Sequence, residues 1–133
     1  WLKGGKATSM PSMFQGCTAL QKVNLLNGEF VTDVSSIFDG CSNLTDVGGI
    51  KDLGKAYLTT LPANYIYYKL GLNYSSKLTE SSIINILNNL YDIKTKGCNV
   101  QQVILGSTNL AKLTSAEGQA ALTRATNYGW TVS

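Results

Sequence analysis

Phe14-Gln15-Gly16-Cys17-Thr18-Ala19-Leu20-Gln21-Lys22-Val23 returns as Phe38-Asp39-Gly40-Cys41-Ser42-Asn43-Leu44-Thr45-Asp46-Val47, 24 residues further on. Phe, Gly, Cys, Leu and Val recur in register, with small polar residues between them. A unit this short cannot bury its apolar side alone, so the copies are expected to stack. The Leu-x-x-Val end of each copy leads into a strand. The first strand is expected over Lys22-Val23-Asn24-Leu25, with Val23 and Leu25 inward and Asn24 outward by the period of two.

Upstream of each Phe, Met10 matches Val34 and Met13 matches Ile37. These apolar steps predict a short helical turn, for which Thr32-Asp33-Val34-Ser35-Ser36 supplies capping side chains. Each unit then reads as a short helix, a Gly-Cys turn and a strand. The second unit ends in Val47-Gly48-Gly49-Ile50-Lys51-Asp52-Leu53-Gly54, whose glycines predict short or irregular pairing. A helix-like segment from Asp52 to Tyr57 and a third strand over Tyr67-Tyr68-Lys69-Leu70-Gly71-Leu72 follow, with Leu70 and Leu72 alternating as a strand requires.

A second similarity links Lys77-Leu78-Thr79 to Lys112-Leu113-Thr114, 35 residues apart. Each opens a helix. The first is expected from Glu80 to Tyr91 with Thr79 as N-cap and a stripe of Ile83, Ile84, Ile86, Leu87 and Leu90. The second is expected from Ser115 to Asn127. Thr114 and Glu117 would form its capping box, with Ala116, Ala120, Ala121, Leu122 and Ala125 inward. Val100 to Leu105 and Trp130-Thr131-Val132 read as the last strands.

Right-handed crossovers between strands near 23–25, 47–50, 68–72, 101–105 and 130–132 would build one parallel sheet. The expected fold is α/β: a leucine-rich-repeat solenoid with a parallel sheet on one face, short helices on the other and a helical C-terminal cap. Residues 1–133 are expected to form a single domain. Positions 1–54 carry the Phe-x-Gly-Cys units, and 55–133 the longer helix-strand units and the cap.

With these residues placed, Phe-x-Gly-Cys-x-x-Leu-x-x-Val over residues 8–54 resembles the BspA-like leucine-rich repeats of bacterial surface proteins. The later segments are similar to the C-terminal part of such proteins in gut anaerobes. These are Leu53-Gly54-Lys55-Ala56, Lys77 to Leu90, Ala111 to Thr114 and Gly129-Trp130-Thr131. The resemblance implies an exported, cell-surface or secreted bacterial protein with an interaction or adhesion role and no catalytic residues. No signal peptide is visible, and a chain opening on Trp1 is expected to be a fragment or a processed form.

Composition narrows the function classes. Hydrophobic residues make up 44% and charged residues 14% of the chain, which argues against disorder. The net charge of +3 comes from scattered lysines and the single Arg124, with no basic stripe, so nucleic acid is not an expected partner. No apolar run is long enough for a membrane helix, so no membrane insertion is expected within this stretch. No cofactor and no metal are expected. The chain has no His and no Cys-x-x-Cys, which removes the common zinc sites and the Ser-His and Cys-His nucleophiles. Asp33, Asp39, Asp46 and Asp52 lack calcium-loop spacing and read as capping and turn residues. Cys98 stands alone beside Lys94 and Lys96, with no base or orienting partner. Cys17 and Cys41 are repeat-equivalent. They read as stacked buried thiols, with a disulfide as the competing reading if its narrow geometry is met.

The chain is therefore expected to be a non-catalytic binding module that meets a protein partner, such as a host or matrix protein, through its sheet face. The outward positions are Asn24, Lys69, Gly71, Gln102, Ile104 and Thr131. Two other readings stand beside it. One is a structural cap or stalk in a longer surface protein. The other is a glycan-binding module using the tyrosines of the 65–91 region, Tyr65, Tyr67, Tyr68, Tyr74 and Tyr91, which can stack on sugar rings.

Overall fold

A computed structural model describes residues 7–57, 66, 68–97 and 101–133. The expectations for Tyr65, Tyr67 and Cys98 lie outside these residues. In chain order the elements are β1 (Lys22–Val23), β2 (Leu26–Asn27), β3 (Asp46–Val47), β4 (Ile50–Lys51), β5 (Lys69–Gly71), α1 (Glu80–Asn88), β6 (Gln101–Ile104), α2 (Gly106–Leu110), α3 (Ala116–Asn127) and β7 (Trp130–Val132). A 3-10 turn spans Lys94–Lys96.

The two Phe-x-Gly-Cys units lie side by side. β1 pairs with β3 and β2 with β4, both parallel, with Val23 opposite Val47 and Leu26 opposite Ile50. The N–H groups of Met10, Ser12, Phe14 and Gly16 donate to the carbonyls of Asp33, Ser35, Ile37 and Asp39 at 2.8–3.0 Å. Residues 11–16 and 35–40 are hydrogen-bonded turns, not the expected short helices. Ser12 and Ser36 both take φ of 55°, a left-handed conformation that a right-handed helix does not contain. Asp33 accepts from Ser35 N–H at 2.9 Å and initiates the second turn. The segment after Asp52 is likewise a turn and not a helix.

The strands are shorter than expected, and one side chain is reversed. Leu25 is 46% exposed, while Leu26 is buried in its place. Asn24 and Leu25 separate β1 from β2, so the alternation through Val23 does not continue to Leu25. The matching break in the second unit is Gly48-Gly49. A Cβ on Gly48 would stand 2.5 Å from the Leu25 amide nitrogen, so only glycine lets the two breaks nest.

The expected leucine-rich-repeat solenoid is not formed. Among the described residues there are three separate parallel sheets, β1-β3, β2-β4 and β5-β6-β7, and three short α-helices, with no continuous curved sheet. The cause is visible beside the second unit. α1, not a strand, lies against β3. A helix spends its backbone hydrogen bonds internally and cannot extend a sheet ladder. A side chain serves instead: Ser82 Oγ accepts from Val47 N–H at 3.0 Å and donates to the Thr45 carbonyl at 3.1 Å. Backbone contact resumes past the helix in one isolated bridge, Leu53 to Leu90.

In the later half, β5, β6 and β7 pair in parallel with Leu70 opposite Val103 and Val103 opposite Val132. α1 packs on α3. Thr79 caps α1 as expected, accepting from Ser82 N–H, but the helix ends at Asn88, short of Tyr91. The N-cap of α3 is Ser115, not Thr114, and its side chain accepts from Gly118 N–H. The acid that completes a capping box comes from another helix. Glu80 Oε1 accepts from Ser115 N–H at 2.9 Å and Ser115 Oγ at 2.7 Å. Gly118 makes room for it, since a Cβ there would lie 2.6 Å from Glu80 Oε1. The buried face of α3 is Gly118, Ala121 and Ala125, whereas Ala116 and Ala120 are exposed.

One cluster of buried apolar side chains runs from Met10 to Trp130. Buried polar groups tie the segments across it. Asn109 Nδ2 donates to the carbonyls of Leu72, Ser75 and Leu105 at 3.0–3.2 Å. Tyr68 Oη donates to the Val31 carbonyl, and Trp130 Nε1 to the Tyr91 carbonyl, both at 2.9 Å.

Candidate functional site: a groove on the three-stranded sheet

Period-two alternation sends Leu70 and Val103 into the core and leaves their neighbours on the outer face. Register then lines up three of the expected site residues. Lys69 stands opposite Gln102, and Gln102 opposite Thr131. Two residues along, Gly71 stands opposite Ile104. Lys69 and Thr131 are exposed, and Gln102 and Ile104 are half-buried.

A groove of about 290 Å³ opens over this face, lined by Ser36, Asp39, Lys69, Asn73, Tyr74 and Ile104 among others. Its far wall is the second Phe-x-Gly-Cys turn. That wall comes close to β5: a Cβ on Gly71 would be in ordinary contact with Asp39 Oδ1, 3.5 Å away. An amino group and a carboxylate thus share one groove with an apolar side chain. Tyr74, on the turn that follows β5, is 65% exposed at its rim.

Not every expected position joins this groove. Thr131 continues the row but lines another hollow, with Lys94, Thr126 and Trp130. Asn24 lies between β1 and β2 and borders an apolar groove of about 340 Å³ with Phe14, Leu20, Lys22 and Leu25. The tyrosines do not form one cluster either. Tyr68 is fully buried against Trp130, ring centroids 5.8 Å apart, while Tyr74 and Tyr91 line different cavities.

Asp39, Ser36 and Asn73 were not among the sequence-derived site residues, and Tyr74 was expected only as one of the sugar-stacking tyrosines. The signal for Tyr74 was the tyrosine-rich 65–91 region, in which it occupies the polar turn Asn73-Tyr74-Ser75-Ser76. For Asp39 there was none, because its neighbourhood with β5 is set by packing between segments 30 residues apart in sequence.

Cys41 is a buried thiol and donates to the Phe14 carbonyl at 3.1 Å; Cys17 is exposed, and both are free. Burial is the main cause that raises the Cys41 thiol above its ordinary pKa, reinforced by Cys17 nearby. Among the described residues no group of His, Cys, Asp and Glu could hold a metal ion, and no helix is long and apolar enough to cross a membrane.

No protein-family model, no curated protein and no solved structure matches the chain. The resemblance to BspA-like repeats therefore rests on the quoted motifs alone.

Proposed function

We propose that the chain is a non-catalytic protein-binding module and that the partner docks along the β5-β6 groove. The observation that carries this reading is that the exposed Tyr74 lines one groove with Ile104, Lys69 and Asp39. An amphipathic aromatic ring with an apolar side chain, within a polar rim, is the composition of an interface hot spot. The surrounding backbone is held in a parallel sheet, so little ordering cost attends docking. Placement of the module on an exported bacterial protein with an adhesion role rests on the Phe-x-Gly-Cys motifs.

The test is a screen of the purified chain against immobilised extracellular-matrix and host surface proteins, repeated with Tyr74→Ala and Lys69→Glu. A saturable hit weakened by both variants supports the reading. A hit indifferent to both removes the groove from the function.

A second reading, a structural element that positions another body, is favoured by a separate observation. Met13, Leu25 and Phe30 are each more than 40% exposed on the first Phe-x-Gly-Cys unit. It predicts no ligand for the isolated chain and burial of these side chains in a larger assembly.

A further inference from the structure

A second cleft, of about 450 Å³, lies where the C-terminal ends of α1 and α3 meet the turn after β4. It takes its lining from four places in the chain: Lys51 and Asp52, residues 88–92, Thr95, and Arg124 with Tyr128. Its volume is within the usual range of small-ligand sites.

The walls are fixed by the backbone. Asp52 N–H donates to the Asn89 carbonyl at 3.0 Å, and Tyr91 N–H to the Leu53 carbonyl at 2.9 Å. The Tyr128 carbonyl accepts from both Ile93 and Lys94 at 3.0 Å. Arg124 is held twice. Its Nη1 donates to the Leu87 carbonyl at 3.2 Å, and its guanidinium lies 4.4 Å from the Tyr128 ring centroid. Asp52 has φ of 57°, a left-handed conformation found at a few per cent of non-glycine positions.

Three lining side chains are open to a ligand: Lys51 and Asn88 are exposed, and Asp52 is half-buried. The Lys51 amino group, the Asp52 carboxylate and the Asn88 amide form no hydrogen bond or salt bridge with any described residue. Their charges, taken with Asp92 and Arg124, balance at two positive and two negative groups. Both helices present their C-terminal ends here, which disfavours an anion. A phosphate or sulfate is thus poorly served, and a polycation finds no surplus of carboxylates. What suits the cleft is a neutral molecule whose groups each donate and accept hydrogen bonds, with apolar faces for aromatic rings. Tyr91 and Tyr128 line the cleft, but each ring has a cation over one face, Lys96 Nζ 5.5 Å from the Tyr91 centroid and the Arg124 guanidinium 4.4 Å from that of Tyr128, so a sugar would stack on the other face.

We propose that this cleft is a binding site for a neutral saccharide, with Asp52 and Asn88 taking its hydroxyl groups. The site is separate from the β5-β6 groove and does not depend on its function.

The test uses the full chain, isotope-labelled, and follows backbone amide shifts while glucose, galactose, mannose, N-acetylglucosamine and their trisaccharides are titrated. Asp52→Asn and Asn88→Ala are the site variants; Asn tolerates the left-handed backbone and Ala suits a helix end. Lys69→Glu, on the sheet groove, is the control. The expected result is saturable shifts centred on residues 51–53, 88–92 and 124–128. Each site variant should weaken affinity by about tenfold, as loss of a polar contact does, and Lys69→Glu should leave it unchanged. Three results overturn the proposal: no saturable shift from any sugar in a folded sample, affinity unaltered in both site variants, or shifts centred on the sheet groove instead.

Discussion

Phe14 stacks parallel to Phe38, with ring centroids 5.8 Å apart and planes 4° from parallel. The two occupy the same place in successive 24-residue units, yet Phe38 is fully buried and Phe14 is only partly so. Phe38→Ala is expected to cost about 3–5 kcal/mol, the range for a fully buried Phe, and Phe14→Ala less than half as much. Urea denaturation of both variants checks this. Equal costs would mean that Phe14 is covered as fully as its partner.

Asn109 is the polar centre of the later half, with one side-chain nitrogen serving three carbonyls and its oxygen accepting from Lys112 Nζ at 3.2 Å. Asn109→Ala should destabilise the fold by about 2–3 kcal/mol, since carbonyls lose a buried donor. Asn109→Asp should be worse at neutral pH, because a carboxylate cannot donate to them. The gap between the two variants should close as pH is lowered and the introduced carboxyl protonates. Thermal melts across pH would show it.

Glu80 couples the two longest helices. The Ser115 N–H and hydroxyl hold its carboxyl below the ordinary glutamate pKa. A depressed folded pKa adds stability above the unfolded value of about 4.3, and that stability is lost as pH falls through the folded value. Glu80→Gln should therefore be less stable than the native chain at neutral pH and converge with it in acid. A difference that stays constant from pH 7 to below the folded value would sink the assignment.

The two described thiols should differ in reactivity. Cys17 is exposed, whereas the Cys41 thiol is buried, hydrogen-bonded to Phe14 and shifted away from the thiolate. Iodoacetamide followed by peptide mass mapping should label Cys17 in the folded chain and Cys41 only after denaturation. Comparable labelling of both without denaturant would contradict the packing of the second unit.

At the sheet groove, Tyr74→Ala should weaken a docked protein partner by about tenfold or more, as a truncated hot spot does. Asn24→Ala should leave it unchanged, because Asn24 borders a different groove. Surface plasmon resonance on the partner found by the screen distinguishes the two.

Local chemistry was largely legible. Thr79 as a helix cap and the apolar stripe through Ile83, Ile86 and Leu87 follow from side chains a few bonds from the backbone they act on, and the pairing of positions 24 residues apart follows from the repeat. The expected sheet face was legible in part, since alternation around Leu70 and Val103 places Lys69, Gln102 and Ile104 outside. Leu25 was misplaced because period two assumes an unbroken strand, and the break at Asn24-Leu25 is matched to glycines in the next unit.

What the sequence by itself determined is therefore the repeat, its 24-residue register, the start of α1 and, to within one residue, that of α3. The helix starts are set by side chains acting on the adjoining backbone, and the register by the recurrence of the same side chains in each unit. Only the tertiary structure decided that α1 lies against β3 and ends the sheet there, and that Glu80 completes the cap of α3. It also decided that Asp39 faces Gly71, and that Asp52, Asn88 and Arg124 share a cleft. Those relations join residues 32 to 72 positions apart. Which distant segments meet depends on how all the apolar faces are buried together, and no local pattern encodes that sum.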